Sequence, residues 1–130
     1  MIVLDASLLI GHLESADLHH AAATAFLQTH TREMLAASVV TLAEVYAGAA
    51  RIGRADQLSQ FLAQLQIDSL DLPSSAAKRL GELRAATNLK MPDCCVLYTA
   101  EQHRAEIATF DDRLAARAGE LGLVASIAPA

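Results

Sequence analysis

Asp5, Glu44, Asp93 and Asp111 each stand where an apolar run gives way to a helix-forming stretch, and carboxylates of this kind, brought to one place, bind a hard divalent cation. Taken singly, each has a structural reading. Thr41-Leu42-Ala43-Glu44 fits a capping box, in which the Glu44 carboxylate reaches back to a backbone N–H. Asp93 follows Pro92 in a first helical turn, where the helix dipole favours any acid. Asp111 or Asp112 can cap a helix, and Asp5 can close a turn. Gathered on one rim they need more, because like charges raise each other's pKa and repel unless a positive charge sits among them. Mg²⁺ or Mn²⁺ meets that need, and Mg²⁺ keeps waters whose positions a phosphate can enter. Such an ion lowers the pKa of a bound water and stabilises charge on phosphoryl oxygens, so the chemistry expected is hydrolysis of a phosphodiester.

The elements that must position these acids alternate along the chain. Ile2-Val3-Leu4 reads as a buried strand that turns into a helix near Ser7, and Asp17 as the N-cap of a helix through Leu27. Met34 to Ser38 reads as a second strand, followed by a helix from about Thr41 to Ile52 that Gly53 stops. Leu58, Phe61, Leu62 and Leu65 recur at helical spacing between Arg54 and Gln66, and Ile67 to Leu72 alternates like a half-buried strand. Pro73 suits the first turn of a helix bearing Ala76, Ala77, Leu80 and Leu83 on one face, and Pro92 opens another through about Gln102. Ile107 to Phe110 is a strand, Asp112 to Leu121 a helix, and Leu123 to Ile127 a last short strand. This alternation predicts an α/β fold with a mainly parallel sheet. Ligands collect at the carboxyl ends of such strands, so Asp5 and Asp111 fall directly after strands and Glu44 and Asp93 in first helical turns on the same rim.

A chain of 130 residues is the size of one domain, able to bury roughly two thirds of the surface its unfolded form exposes, so one domain over residues 1–130 is expected. Hydrophobic residues make up 53% but aromatics only 4%, which leaves the core to Leu, Ala, Val and Ile. No basic segment opens the chain, and the apolar stretch from Ser7 to Leu13 is too short to span a membrane, so a cytoplasmic protein with no membrane association is expected. Cys94 and Cys95 are adjacent, which suits neither an intramolecular disulfide nor a zinc site. The net charge of -5 argues against a protein that coats nucleic acid through bulk positive potential. Setting the four acids aside from the 15 Asp and Glu leaves 11 against 10 Lys and Arg, a nearly neutral remainder. Eight of those ten are Arg, suited to bidentate phosphate contact, so a local RNA-binding face is permitted.

Four segments together resemble the PIN domain family. Val3-Leu4-Asp5-Ala6-Ser7-Leu8-Leu9-Ile10 looks like its opening strand, with an Asp and a hydroxyl residue two positions later. Ser38-Val39-Val40-Thr41-Leu42-Ala43-Glu44-Val45-Tyr46-Ala47-Gly48 resembles the segment carrying its Glu. Lys90-Met91-Pro92-Asp93 resembles the third-acid segment, and Ala108-Thr109-Phe110-Asp111 the T-x-D pattern of the fourth. The match runs in order from Met1 to about Val124, and the compact length is most similar to the VapC toxins of bacterial toxin–antitoxin pairs. The resemblance implies a PIN-like three-layer α/β/α sandwich and an endoribonuclease dependent on Mg²⁺ or Mn²⁺. It also implies a homodimer, inhibited by a VapB-like antitoxin whose C-terminal segment wraps the toxin and can block the acidic pocket. Carried over by position, Asp5, Glu44, Asp93 and Asp111 would hold the metal directly or through water, and Ser7 would orient an acid or water. Thr109 would support the fourth acid, which T-x-D assigns to Asp111, leaving Asp112 as a cap or a solvated charge.

Other residues point less sharply. His12, His19, His20, His30 and His103 include no H-x-x-x-H pair, so they read as helix-surface or partly buried side chains. Arg51, Arg54, Arg84 and Lys90 flank the acidic segments and could meet phosphates, or simply offset helix dipoles. A phosphatase of the haloacid dehalogenase class would want a second Asp where Ser7 stands, and a response-regulator receiver would want an adjacent acidic pair after its first strand. The stronger rival is a PIN-like module that binds RNA or protein without cutting, since a fold does not establish an activity.

Overall fold

The computed structural model of the chain describes residues 1–125. Its elements run β1 (Ile2–Leu4), α1 (Ala6–Leu13), α2 (His20–Thr29), β2 (Leu35–Ser38), α3 (Val39–Arg51), α4 (Ala55–Gln64), β3 (Ile67–Leu70), α5 (Ala76–Thr87), α6 (Met91–His103), β4 (Glu106–Ala108) and α7 (Asp112–Glu120). The four strands form one sheet in the order β3-β2-β1-β4, and every pairing is parallel. Parallel neighbours need crossovers, and helices supply each of them.

Alternate strand residues face opposite sides of a sheet, and the two cores divide accordingly. Ile2 and Leu4 of β1 join Leu35, Ala37 and Ala108 against Leu8, Leu9, Phe26, Leu27, Leu42, Val45, Leu58 and Leu62, from α1 to α4. Val3 and Ile107 face the other way, against Leu83, Val96, Leu97 and Leu114 of α5, α6 and α7. The result is a three-layer α/β/α sandwich with a parallel central sheet. Strands covered on both faces read as unbroken apolar runs, which is why β1 shows no alternation. Edge strand β3 is half open to solvent and carries exposed Asp68 and Ser69.

Several boundaries differ from the sequence expectation, each for a local reason. Asp17 caps a turn rather than the helix: its carboxylate accepts from His19 N at 2.8 Å, its carbonyl from His20 N at 3.1 Å, and α2 begins at His20. Ser38 caps α3 by accepting from Val40 N at 3.2 Å, so that helix starts two residues before Thr41. Gly53, at φ 72, ends it in the left-handed region that glycine adopts without strain. The last expected strand, Leu123 to Ile127, is represented by a single parallel bridge from Ala125 to Ile107; Ile127 lies outside the described residues. Among the described residues no helix is long and apolar enough to cross a membrane.

Candidate active site

Strands β1 and β4 are parallel neighbours with Leu4 opposite Ala108, so the chain leaves both at the same edge of the sheet. Asp5 follows β1 at once, and its N–H bonds the Ala108 carbonyl at 3.2 Å. Its carboxylate caps α1, accepting from Leu8 N at 3.1 Å and from the Ser7 hydroxyl at 2.6 Å through Oδ1. Its other oxygen accepts from the Thr109 hydroxyl, which comes from beyond the end of β4. The two hydroxyls are themselves held from the β4 side: Ser7 Oγ accepts from Phe110 N at 3.0 Å, and Thr109 Oγ1 from Asp111 N at 2.9 Å. The exits of the two strands are thereby laced together around one buried carboxyl group. Burial pushes the Asp5 pKa up, against the opposing pull of Ser7, Thr109 and Leu8 N–H, and Asp111 adds a smaller push upward.

Asp111, three residues beyond the end of β4 rather than directly after it, is the N-cap of α7. Its Oδ1 accepts from Arg113 N at 2.9 Å and from Leu114 N at 3.1 Å. Of the two candidate caps it is Asp111 that caps the helix, and Asp112, expected as a cap or a solvated charge, is an exposed first-turn residue. Thr109 supports Asp111 through its backbone N–H, while the hydroxyl proton goes to Asp5.

Asp93 lies in the first turn of α6, half-buried. Its pKa is pushed up to about 6, first by desolvation and then by the charges of Asp111, Asp5 and Glu44, with Lys90 opposing. Glu44 is exposed in α3, six residues past the Ser38 cap, so it lies beyond the first turn and the capping box does not form. Thr41, its would-be partner, is 1% exposed, and its hydroxyl has no hydrogen-bond partner among the described residues.

Four acids from four helices thus share one electrostatic field at the carboxyl edge of the sheet. Among the described residues no group of three or more His, Cys, Asp or Glu side chains is placed closely enough to hold a metal ion. The donors these acids offer are all carboxylate oxygens, the chemistry that hard divalent cations prefer. Of the histidines, His19 stacks on Phe110, the neighbour of Asp111, at 4.3 Å between ring centroids, and His12 contacts both His20 and Phe61. Beside Glu44 opens an apolar groove of about 450 Å³ between α1, α3 and α4, lined by Ile10, Leu13, Val45, Ile52, Leu58 and Phe61 among others.

Sequence reasoning missed Arg113, whose signal was available: a cation two residues past a capping Asp, at the dipole end where cations are disfavoured. It also missed the bond from Thr109 to Asp5, which no local pattern encodes.

Comparison with known proteins comes from two directions. The PIN domain family model matches residues 2–120. No curated protein matches the sequence. Among solved structures, one similar fold is a toxin–antitoxin complex from Klebsiella pneumoniae, with TM-score 0.70 and 26% identity over 85% of this chain and 87% of that one. Another is VapBC2 from Rickettsia felis bound to a DNA fragment of its promoter, with TM-score 0.74 and 18% identity over 97% and 98%. A third is VapC20 of Mycobacterium tuberculosis, a sarcin–ricin loop cleaving toxin, with TM-score 0.77 and 14% identity over 95% and 97%. At such identities the last two likenesses are of fold.

Proposed function

The chain belongs to the PIN domain family, and from that premise we propose that it is a metal-dependent endoribonuclease, the toxin of a toxin–antitoxin pair. What supports this reading is that the charges of Asp111, Asp5 and Glu44 all act on half-buried Asp93, with Asp5 and Asp111 at the exits of two neighbouring parallel strands. A folded protein gains nothing in stability from such a gathering, so a function is the better account of it.

Asp5, Glu44, Asp93 and Asp111 would hold Mg²⁺ or Mn²⁺, directly or through water. When bound, the ion supplies an acidified water and a counter-charge for the phosphoryl oxygens. Asp5 is the fixed member of the set, because three hydrogen bonds leave its carboxylate one orientation. Ser7 orients it and ties it to the Phe110 backbone. Asp93 is the adjustable member: its carboxyl, raised to about 6, keeps its proton in mildly acidic solution and would release it more readily beside a cation. Asp111 meets the field with a carboxylate aimed by its own helix.

We extend the proposal to a homodimer in the cytoplasm, held inactive by a VapB-like antitoxin. Solved relatives of this fold are toxin–antitoxin complexes, and the apolar groove beside Glu44 offers a seat for an inhibitory segment next to the acids. The test incubates wild type and Asp93→Asn, both shown folded by circular dichroism, with total RNA in Mg²⁺, Mn²⁺ or EDTA. Discrete cuts by wild type with metal alone, lost in the variant, are expected. Stable RNA binding with no cuts in any metal would instead make the chain a non-catalytic binding module.

A further inference from the structure

Three cations, Arg84, Lys90 and Arg113, converge on the turn that leads from α5 into Asp93. Arg84, in the last turn of α5, donates from Nη1 to the Leu89 carbonyl and, at 3.5 Å, to that of Asn88. Arg113, from α7, donates from Nη2 to the Asn88 carbonyl at 3.2 Å. The turn is itself fixed, with Asn88 in the left-handed region at φ 56 and Leu89 N bonded to the Thr87 hydroxyl at 3.2 Å. Lys90 is the N-cap residue of α6, three positions before Asp93.

Structural placement explains Arg84, because a cation at a helix C-terminus complements the dipole. Arg113 shares that reason in part, since the Asn88 carbonyl to which it donates is the C-cap of the same helix, whereas Lys90 does not. Lys90 caps α6 without a side-chain hydrogen bond, and Arg113 sits in the first turn of α7, both at helix starts that favour acids. Nor does ion pairing account for them: no salt bridge among the described residues takes Arg84, Lys90 or Arg113, and Lys90 acts on Asp93 through its charge alone. All three are exposed, and each guanidinium has five donors of which the carbonyls take one or two. Where local preference is broken beside a proposed active site, a functional demand is the usual reason. The demand is plain for an RNA substrate, because a pocket of four acids repels the phosphates on either side of the one that a metal neutralises.

We propose that Arg84, Lys90 and Arg113 form a phosphate-gripping lip on the α5–α6–α7 side of the acidic site, holding the backbone of single-stranded RNA next to the cleaved bond. This rests on the ribonuclease reading. The carbonyls of Asn88 and Leu89 pre-order the two guanidiniums, so less side-chain freedom is lost when phosphates arrive.

The test measures binding of a fluorescent 12-nucleotide single-stranded RNA to Asp93→Asn protein in Mg²⁺ by anisotropy across 50–300 mM NaCl, about the range over which phosphate contacts are salt-sensitive. Arg84→Gln, Lys90→Gln and Arg113→Gln, each added singly, should weaken binding about threefold to tenfold and lower the slope of log Kd against log salt by about 0.7. Arg113→Lys should keep the slope. Lys90→Gln removes a side chain with no hydrogen bond among the described residues, and circular dichroism checks that the variant folds. Unchanged affinity and slope in all three, with RNA still cut by wild type, would sink the lip and leave the nuclease standing. Absence of both RNA binding and cleavage by wild type would overturn the two together.

Discussion

Asp93→Asn should stabilise the metal-free protein at neutral and alkaline pH. The Asp93 carboxyl is raised from 3.8 to about 6 by burial and by the charges of Asp111, Asp5 and Glu44. The folded state therefore binds this proton more tightly than the unfolded state does. Its contribution to stability is fully present below about pH 4 and is lost as pH rises through about 6. At about 1.4 kcal/mol per unit the whole shift corresponds to about 3 kcal/mol, and solvent screening of a half-buried group reduces this to about 1–2 kcal/mol. An acid in a first helical turn returns about 0.3–1 kcal/mol through the dipole, so the net is small but has a sign. Asparagine, neutral and of the same shape, removes both contributions. In EDTA at pH 8 the variant should melt about 2–7 °C above wild type, and at pH 4.5 the two should nearly coincide. Millimolar Mg²⁺ at pH 8 should raise the wild-type melting temperature and leave the variant almost unmoved. Calorimetry over pH 4.5–8 measures all of this. A variant that melts at or below wild type throughout, in EDTA, would refute the argument that burial and the neighbouring acids disfavour the Asp93 charge.

Three further outcomes follow from the same geometry. Thr41→Val replaces a buried hydroxyl that lacks a partner, and should stabilise the fold by about 1 kcal/mol, read as a higher urea midpoint at unchanged slope. Thr109→Val has nearly the same shape yet should do the opposite, costing about 1–3 kcal/mol, because it strips a donor from buried Asp5 and an acceptor from Asp111 N–H. It should also push the Asp5 pKa further up and weaken Mn²⁺ binding in calorimetric titration. Leu97→Ala opens a cavity at the centre of α6, where the side chain is 0% exposed, and should cost about 2–5 kcal/mol in urea denaturation while leaving the metal titration curve in place.

Much of this was legible because strand, acid and helix follow one another in short order. Leu4 to Asp5 to Ser7 is a strand exit, a cap and a hydroxyl within four residues, and local patterns of that kind survive in sequence. The parallel sheet could be read from alternation alone, since each crossover carries its own helix. The start of α3 was not legible, because Ser38 and Thr41 are both good N-caps and only tertiary placement chooses between them. Helix α6 hides its period: Cys94 through Ala100 are all buried, so no polar face marks its turns. The Thr109 to Asp5 bond joins residues 104 positions apart, and Arg113 reaches a turn 25 positions back.

Capping and ligation are compatible roles for one carboxylate. Asp5 and Asp111 are both N-caps, and a cap is held in a fixed direction by the N–H groups it satisfies. For Asp111 both capping bonds fall on Oδ1, so ordering the side chain engages only one of its two oxygens. A carboxylate aimed in this way loses little freedom on meeting a cation, whereas a free surface aspartate would have to be ordered at the moment of binding. Placing the acids at helix starts along the sheet edge therefore serves fold and proposed chemistry with the same atoms. Glu44 makes the contrast useful: it caps nothing, stands exposed beyond the first turn of α3, and borders the apolar groove. Of the four, it is the acid whose position a partner seated in that groove could most easily change.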